Sequence, residues 1–217
     1  MIFVEGGTFI MGCTDDECYE NERPAHQVTL SSFLIGKYPV TQKEWVAIMG
    51  TNPSHFQGDN NLPVEMVGFN DVYEFITRLN EATGKNYRLC TEAEWEFAAR
   101  GGIYSQGYKY SGSNNINEVA WYEENSNART HPVGTKQPNE LGIYDMSGNV
   151  SEWCWDWFGF YIAEAQTNPQ GPSAGVGRVT RGGSWYLPVQ DCRVSRRTSK
   201  LQESTSNYPG FRVALSL

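Results

Sequence analysis

Glycine and proline punctuate this sequence so often that most of it must fold as short elements. The chain of 217 residues holds 22 glycines and 10 prolines. A glycine lets the backbone adopt conformations other residues avoid, and a proline removes a hydrogen-bond donor. What lies between them must fold as short pieces joined by turns. This suits a loop-rich fold better than a helix bundle, and an α+β fold of short strands and about three short helices is expected. Seven tryptophans and twelve tyrosines give those few regular residues enough bulk to fill one core. No internal repeat or linker divides the sequence, so residues 1–217 read as a single domain.

The three helices carry start signals. Thr41 and Glu44 have capping-box spacing ahead of "WVAIM", and Thr91 and Glu94 repeat it at "TEAEWEFAARGG". Asn70 or Asp71 can cap "VYEFITRLNEATG", where Val72, Phe75, Ile76 and Leu79 share a face and Gly84 supplies a left-handed stop. The stretches "FVEGGTFIMG", "HQVTLSSFLIGKYPV", "RVTRGGSW" and "GFRVALSL" predict strands, "VAWY" a strand fragment, and acidic "CTDDECYENERP" a surface loop. Alternation in "EWCWDW" puts Trp153, Trp155 and Trp157 on one side of an extended segment, with at least two of them in the core and Cys154 buried opposite.

Several function classes drop out. A net charge of -8 gives no basic face for nucleic acid. No run is long enough to span a membrane as a helix. The start, "MIFVEGGTFIMG", lacks the basic and apolar regions of a signal peptide, so the chain as written is cytoplasmic, or reaches the cell surface if a leader has been removed. Five cysteines cannot all pair, and their spacing fits no zinc pattern. They read as reduced thiols, with a Cys13–Cys18 bridge as the alternative. His26, His55 and His131 fall in no motif and read as surface or capping residues.

The pieces "GGTFIMG", "PVTQKEW", "YRLCTEAEWEFAARGG", "GIYDMSGNVSEW", "RGGSW" and "GFRVA" occur in an order that resembles the formylglycine-generating enzyme (sulfatase-modifying factor) family. The resemblance spans nearly the whole chain and implies a C-type lectin fold. It also implies a calcium ion at "DMSGNVSE", held by the carboxylates of Asp145 and Glu152 and the carbonyls of Gly148 and Val150. The enzyme it resembles oxidises a substrate cysteine with copper and oxygen, using two cysteines after "GGS". Counted from "GGS", these fall on Leu187 and Cys192; anchored on "GFR", neither position is a cysteine. Either way the pair is broken, and one thiol is too few for Cu(I), so copper is not expected.

With that chemistry lost, the segment 186–208 between "RGGSW" and "GFRVA" becomes the candidate recognition surface. Cys192, Arg193 and Val194 read as structural, alternating as a buried strand would. Trp185, Tyr186, Leu187, Pro188, Gln190, Asp191, Arg196, Thr198, Ser199, Lys200 and Leu201 read as ligand-binding. The placement is similar to that of the variable proteins of diversity-generating retroelements, whose mutable positions lie between such anchors. The reading is a non-catalytic, monomeric binding module for a protein or other macromolecular ligand. The alternatives are a family oxidase that converts a sulfatase cysteine to formylglycine, and a pseudo-enzyme that regulates one.

Overall fold

A computed structural model describes residues 1–217. Its strands are short and gather into three small sheets. The first runs in the order β1 (Ile2–Val4), β4 (Phe33–Ile35), β11 (Val213–Ser216) and β5 (Tyr87–Leu89). The last strand of the chain is thus interior to a sheet, with Ala214 opposite Ile35 and Val213 opposite Leu89. The second sheet has the order β10 (Pro209–Gly210), β6 (Ser151–Trp157), β8 (Arg178–Arg181) and β9 (Arg197–Lys200). The third joins β2 (Gly7–Met11), β3 (His26–Leu30) and β7 (Gln166–Thr167).

The helices follow their local signals closely. In α1 (Gln42–Met49) and α3 (Glu92–Ala99) both halves of each capping box are made, through Thr41 with Glu44 and Thr91 with Glu94. Helix α2 (Phe69–Thr83) starts upstream of the predicted cap. Gly68 is the N-cap, and the Asp71 carboxylate reaches back to accept its N–H at 2.9 Å. Gly84 ends the helix at φ 67°. The predicted "VAWY" strand does not form. Asn115 accepts a bond from the N–H of Asn117 and starts one helical turn, α4 (Ile116–Val119), which takes up its first residue.

Strand β6 divides two halves of the core. Trp153 packs with Trp45, Val72, Phe75 and Phe211 on one side, while Cys154 joins Trp95, Phe97, Val28 and Ile35 on the other. Of the three alternating tryptophans only Trp153 is fully buried. Trp155 is 38% exposed, and Trp157 is half-buried beneath the Arg178 guanidinium, 3.8 Å from its ring. The expectation of two core tryptophans therefore fails, because the strand runs out of the core toward its C-terminal end. Cys192 and Val194 are buried as predicted, but not on a strand: residues Val189–Cys192 form a 3-10 turn.

Cys13 and Cys18 are joined by a disulfide, which overturns the reading of five reduced thiols in favour of its alternative. Cys90, Cys154 and Cys192 are free and buried. No helix is long and apolar enough to cross a membrane.

Candidate functional site

Four arginines build the frame on which the segment 186–208 rests. Arg181, Arg193, Arg197 and Arg212 are each almost fully buried. A buried guanidinium is tolerable only when its charge is matched and its donors are filled, and each of these finds a carboxylate from a distant part of the chain. Arg193 forks onto Glu22, Arg197 onto Glu92 and Arg212 onto Glu152, with distances of 2.6 to 2.7 Å throughout. Arg181 pairs with Glu96 and also donates to the carbonyls of Ser195 and Arg196 at 2.7 and 2.6 Å. Gly183 completes the frame. Its φ is 72°, and a Cβ there would lie 2.6 Å from Cys192 Sγ, so only glycine lets the 3-10 turn close over β8.

On this frame the predicted binding residues separate into two groups. Trp185 is 7% exposed, donates Nε1–H to the Asn207 carbonyl at 2.7 Å and meets Phe56 edge-on. It belongs to the frame, and is not the partly exposed anchor that a tryptophan beside 186–191 could supply. Tyr186, at 60% exposure, takes that position, with Tyr208 alongside. Gln190, Ser199 and Leu201 also face outward. Pro188 precedes the 3-10 turn, and the Leu187 carbonyl accepts from Glu123 N–H at 3.1 Å. Asp191 pairs with Arg196 at 2.5 Å, Thr198 shares a hydroxyl bond with Thr180, and Lys200 reaches the Tyr208 hydroxyl.

Leu187, Asp191, Arg196, Thr198 and Tyr208 surround a small hollow of about 20 Å³ floored by Gly182 and Gly183. The structure thus brings Leu187, Asp191, Arg196 and Thr198 of the predicted set around one place, together with Tyr208. Phe56 and Tyr208 were not among the predicted contacts; Phe56 comes from a loop far away in sequence, and no local pattern marks it.

The residues assigned to calcium do not fit that ion. Both Glu152 oxygens are bonded to Arg212, and Oε2 also accepts the Trp95 Nε1–H at 2.7 Å. Its charge is neutralised where calcium needs a free carboxylate. Asp145 accepts from Gly134 N–H at 2.7 Å, and burial pushes its carboxyl up to about 6. Gly148 is packed so closely on Trp121 that a Cβ would lie 2.3 Å from its carbonyl oxygen, and Val150 is fully buried.

The donor set for copper is no better. Cys192 lies among Tyr110, Ile116, Val119, Ala120 and Tyr122, and burial pushes its thiol up to about 12. It is protonated at neutral pH, and the position that would supply a second sulfur is Leu187. Burial withholds the thiolate that a nucleophile needs, and no second sulfur stands in the segment to complete a Cu(I) pair. Nor does a histidine stand ready to activate it. His26, expected as a surface or capping residue, is buried against Tyr161; His131 stacks on Trp121; His55 is exposed beside Phe56.

Comparison with known proteins agrees with this architecture. The model of the sulfatase-modifying factor enzyme 1-like domain matches residues 1–217. The chain is 38% identical to the chaperone protein LppX of Paenibacillus barcinonensis, over 90% of this chain and 81% of LppX. It is 30% identical to the formylglycine-generating enzyme of Thermomonospora curvata, over 99% and 92% of the two. Among solved structures, Treponema denticola variable protein 1 superposes with a TM-score of 0.94 and 32% identity, covering 100% of this chain and 95% of that one. The fold is that of the formylglycine-generating enzymes, a C-type lectin fold. The chain belongs to the sulfatase-modifying factor enzyme 1-like family.

Proposed function

We propose that this protein is a non-catalytic binding module that contacts a protein or other macromolecule through residues 186–208. The observation that carries this reading is the division of labour within the segment. Arg193 and Arg197 are locked into buried carboxylate pairs and the adjoining Trp185 into the frame, while Tyr186, Gln190, Ser199 and Leu201 point outward from that base. Ordering of the base before contact lowers the entropy lost on binding, and a half-exposed tyrosine is a favoured contact residue. Likeness to a variable protein of Treponema denticola over the whole chain supports the same reading. The family oxidase is disfavoured because Cys192 is a lone thiol buried in an apolar cluster, with Leu187 where a second sulfur would stand.

The test is to incubate the chain with Cu(I), oxygen, a reductant and a cysteine-containing sulfatase peptide, and to read the peptide by mass spectrometry. The cysteine is expected to stay intact; formation of the aldehyde would overturn the reading. The retroelement version has its own check. A near-copy of the coding segment for 186–208, differing at adenines, is expected beside a reverse transcriptase gene. Finding neither removes that version alone.

A further inference from the structure

The loop closed by the disulfide lies against the base of the proposed binding surface. Tyr19 follows Cys18 directly, and its ring sits 4.1 Å from the Arg196 guanidinium and 5.7 Å from that of Arg193. Arg193, forked onto Glu22, also turns Nη1 toward Cys13 Sγ at 3.6 Å. Asn21 donates to the Arg197 carbonyl at 3.4 Å, and Arg197 returns a bond to the Asn21 carbonyl at 3.1 Å. Lys109 pairs with Glu17 through its ammonium group, while its carbonyl accepts from Val194 N–H at 3.0 Å. Arg196 in turn pairs with Asp191 at the rim of the hollow. Every few residues from 17 to 22 there is thus a tie to the strip from 191 to 197.

From this juxtaposition we infer that Cys13–Cys18 is a redox-modifiable brace: a dithiol reductant that opens it loosens the strip 187–197 and with it the recognition surface. The consequence for binding rests on the function proposed above, whereas the coupling between loop and strip is a property of the fold alone. The two sulfurs are not equivalent. Cys13 is 5% exposed and Cys18 more open, so the thiolate of the reductant attacks Cys18 Sγ and Cys13 leaves as a thiolate. Arg193 Nη1 is placed to steady that leaving thiolate. The second thiol of the reductant then displaces Cys18. The protein has gained two electrons and two protons as two free thiols, and the dithiol has become a disulfide. Asp15, with Oδ1 at 3.3 and 3.4 Å from the two sulfurs, opposes an anionic attacker.

Hydrogen exchange on the full chain, with and without dithiothreitol and with the thiols then alkylated, tests this without any ligand. Alkylation is expected at Cys18 and, once reduction has loosened the loop, at Cys13, while Cys90, Cys154 and Cys192 stay buried in the core and unmodified. Amides of 187–197 are expected to exchange at least about tenfold faster after reduction, while those of β6 and β8 stay as they were. Tyr19→Leu, with the disulfide intact, is expected to speed exchange in the same strip, which separates the brace from general unfolding of a reduced chain. Asp15→Asn is expected to be reduced faster. Acceleration confined to residues 13–22, or a disulfide that dithiothreitol does not open, would overturn the inference. If the coupling appears but the sulfatase peptide is oxidised, the brace stands and the binding reading falls; if the peptide stays intact and the strip does not respond, the reverse holds.

Discussion

Two buried side chains show how burial sets chemistry at single residues. Asp156 is 4% exposed and accepts the Glu92 N–H at the start of α3 at 2.8 Å. Burial, with the Glu92 charge adding to it, raises its carboxyl from 3.8 to about 8. Between those values the unfolded chain has lost a proton that the folded chain keeps, so stability falls as pH rises through that window. Asp156→Asn keeps an acceptor for Glu92 and removes the proton linkage. It is expected to be more stable than the natural chain by roughly 1–3 kcal/mol near pH 8 and equal to it near pH 4, as read by urea unfolding. A variant less stable at the higher pH would mean that Asp156 is ionised in the fold. Cys192 illustrates the apolar case. Cys192→Ser puts a hydroxyl among Tyr110, Ile116 and Val119 and is expected to lower stability by about 1–2 kcal/mol. The outward residues of the segment keep their places, so loss of binding without loss of stability would contradict its packing role.

At the scale of elements, carboxylate–guanidinium pairs tie the second sheet to the rest of the molecule: Arg181 and Arg197 reach Glu96 and Glu92 of α3, and Glu152 takes Arg212. Removing one arm of such a fork leaves a buried charge with no partner, which costs about 3–5 kcal/mol. Arg212→Ala, which strands Glu152 next to Trp95, is expected to show a loss of that order in thermal or urea unfolding, and Glu152→Leu in the same chain to restore part of it. The same fork predicts indifference to calcium: the melting temperature is expected to be equal in calcium and in chelator, and a rise of several degrees with calcium would show that Glu152 leaves Arg212 for the ion. These forks also explain which elements were legible in the sequence. Thr41 with Glu44 and Thr91 with Glu94 are local, so both helix starts could be read directly. The partners of Arg193 and Arg212 lie 171 and 60 residues away, and neither periodicity nor spacing points to them. For the same reason the segment around 186–208 could be recognised as lying between two anchors, while the 3-10 turn, strand β9 and the support from Phe56 and Tyr19 could not. Each of these is decided by contacts across the fold.

For the whole molecule, the separation between frame and surface makes a claim about tolerance. Trp185, Gly183 and the buried arginines hold the strip that carries the exposed residues to distant parts of the chain. Tyr186, Gln190, Ser199 and Leu201 add little to that frame because their side chains stand largely in solvent. Surface substitutions away from caps and buried pairs usually change stability by less than about 0.5 kcal/mol each, and effects at separated sites add. A chain carrying Tyr186→Ser, Gln190→Ala, Ser199→Ala and Leu201→Ala together is therefore expected to lose less than about 2 kcal/mol. Arg193→Ala alone is expected to lose more than all four, since it leaves Glu22 buried without its partner and frees the strip from the disulfide loop. Urea unfolding of the two variants side by side decides the matter. If the fourfold variant were the less stable, the outward residues would be part of the fold's support, and a surface free to change its contacts without losing its shape would no longer describe this protein.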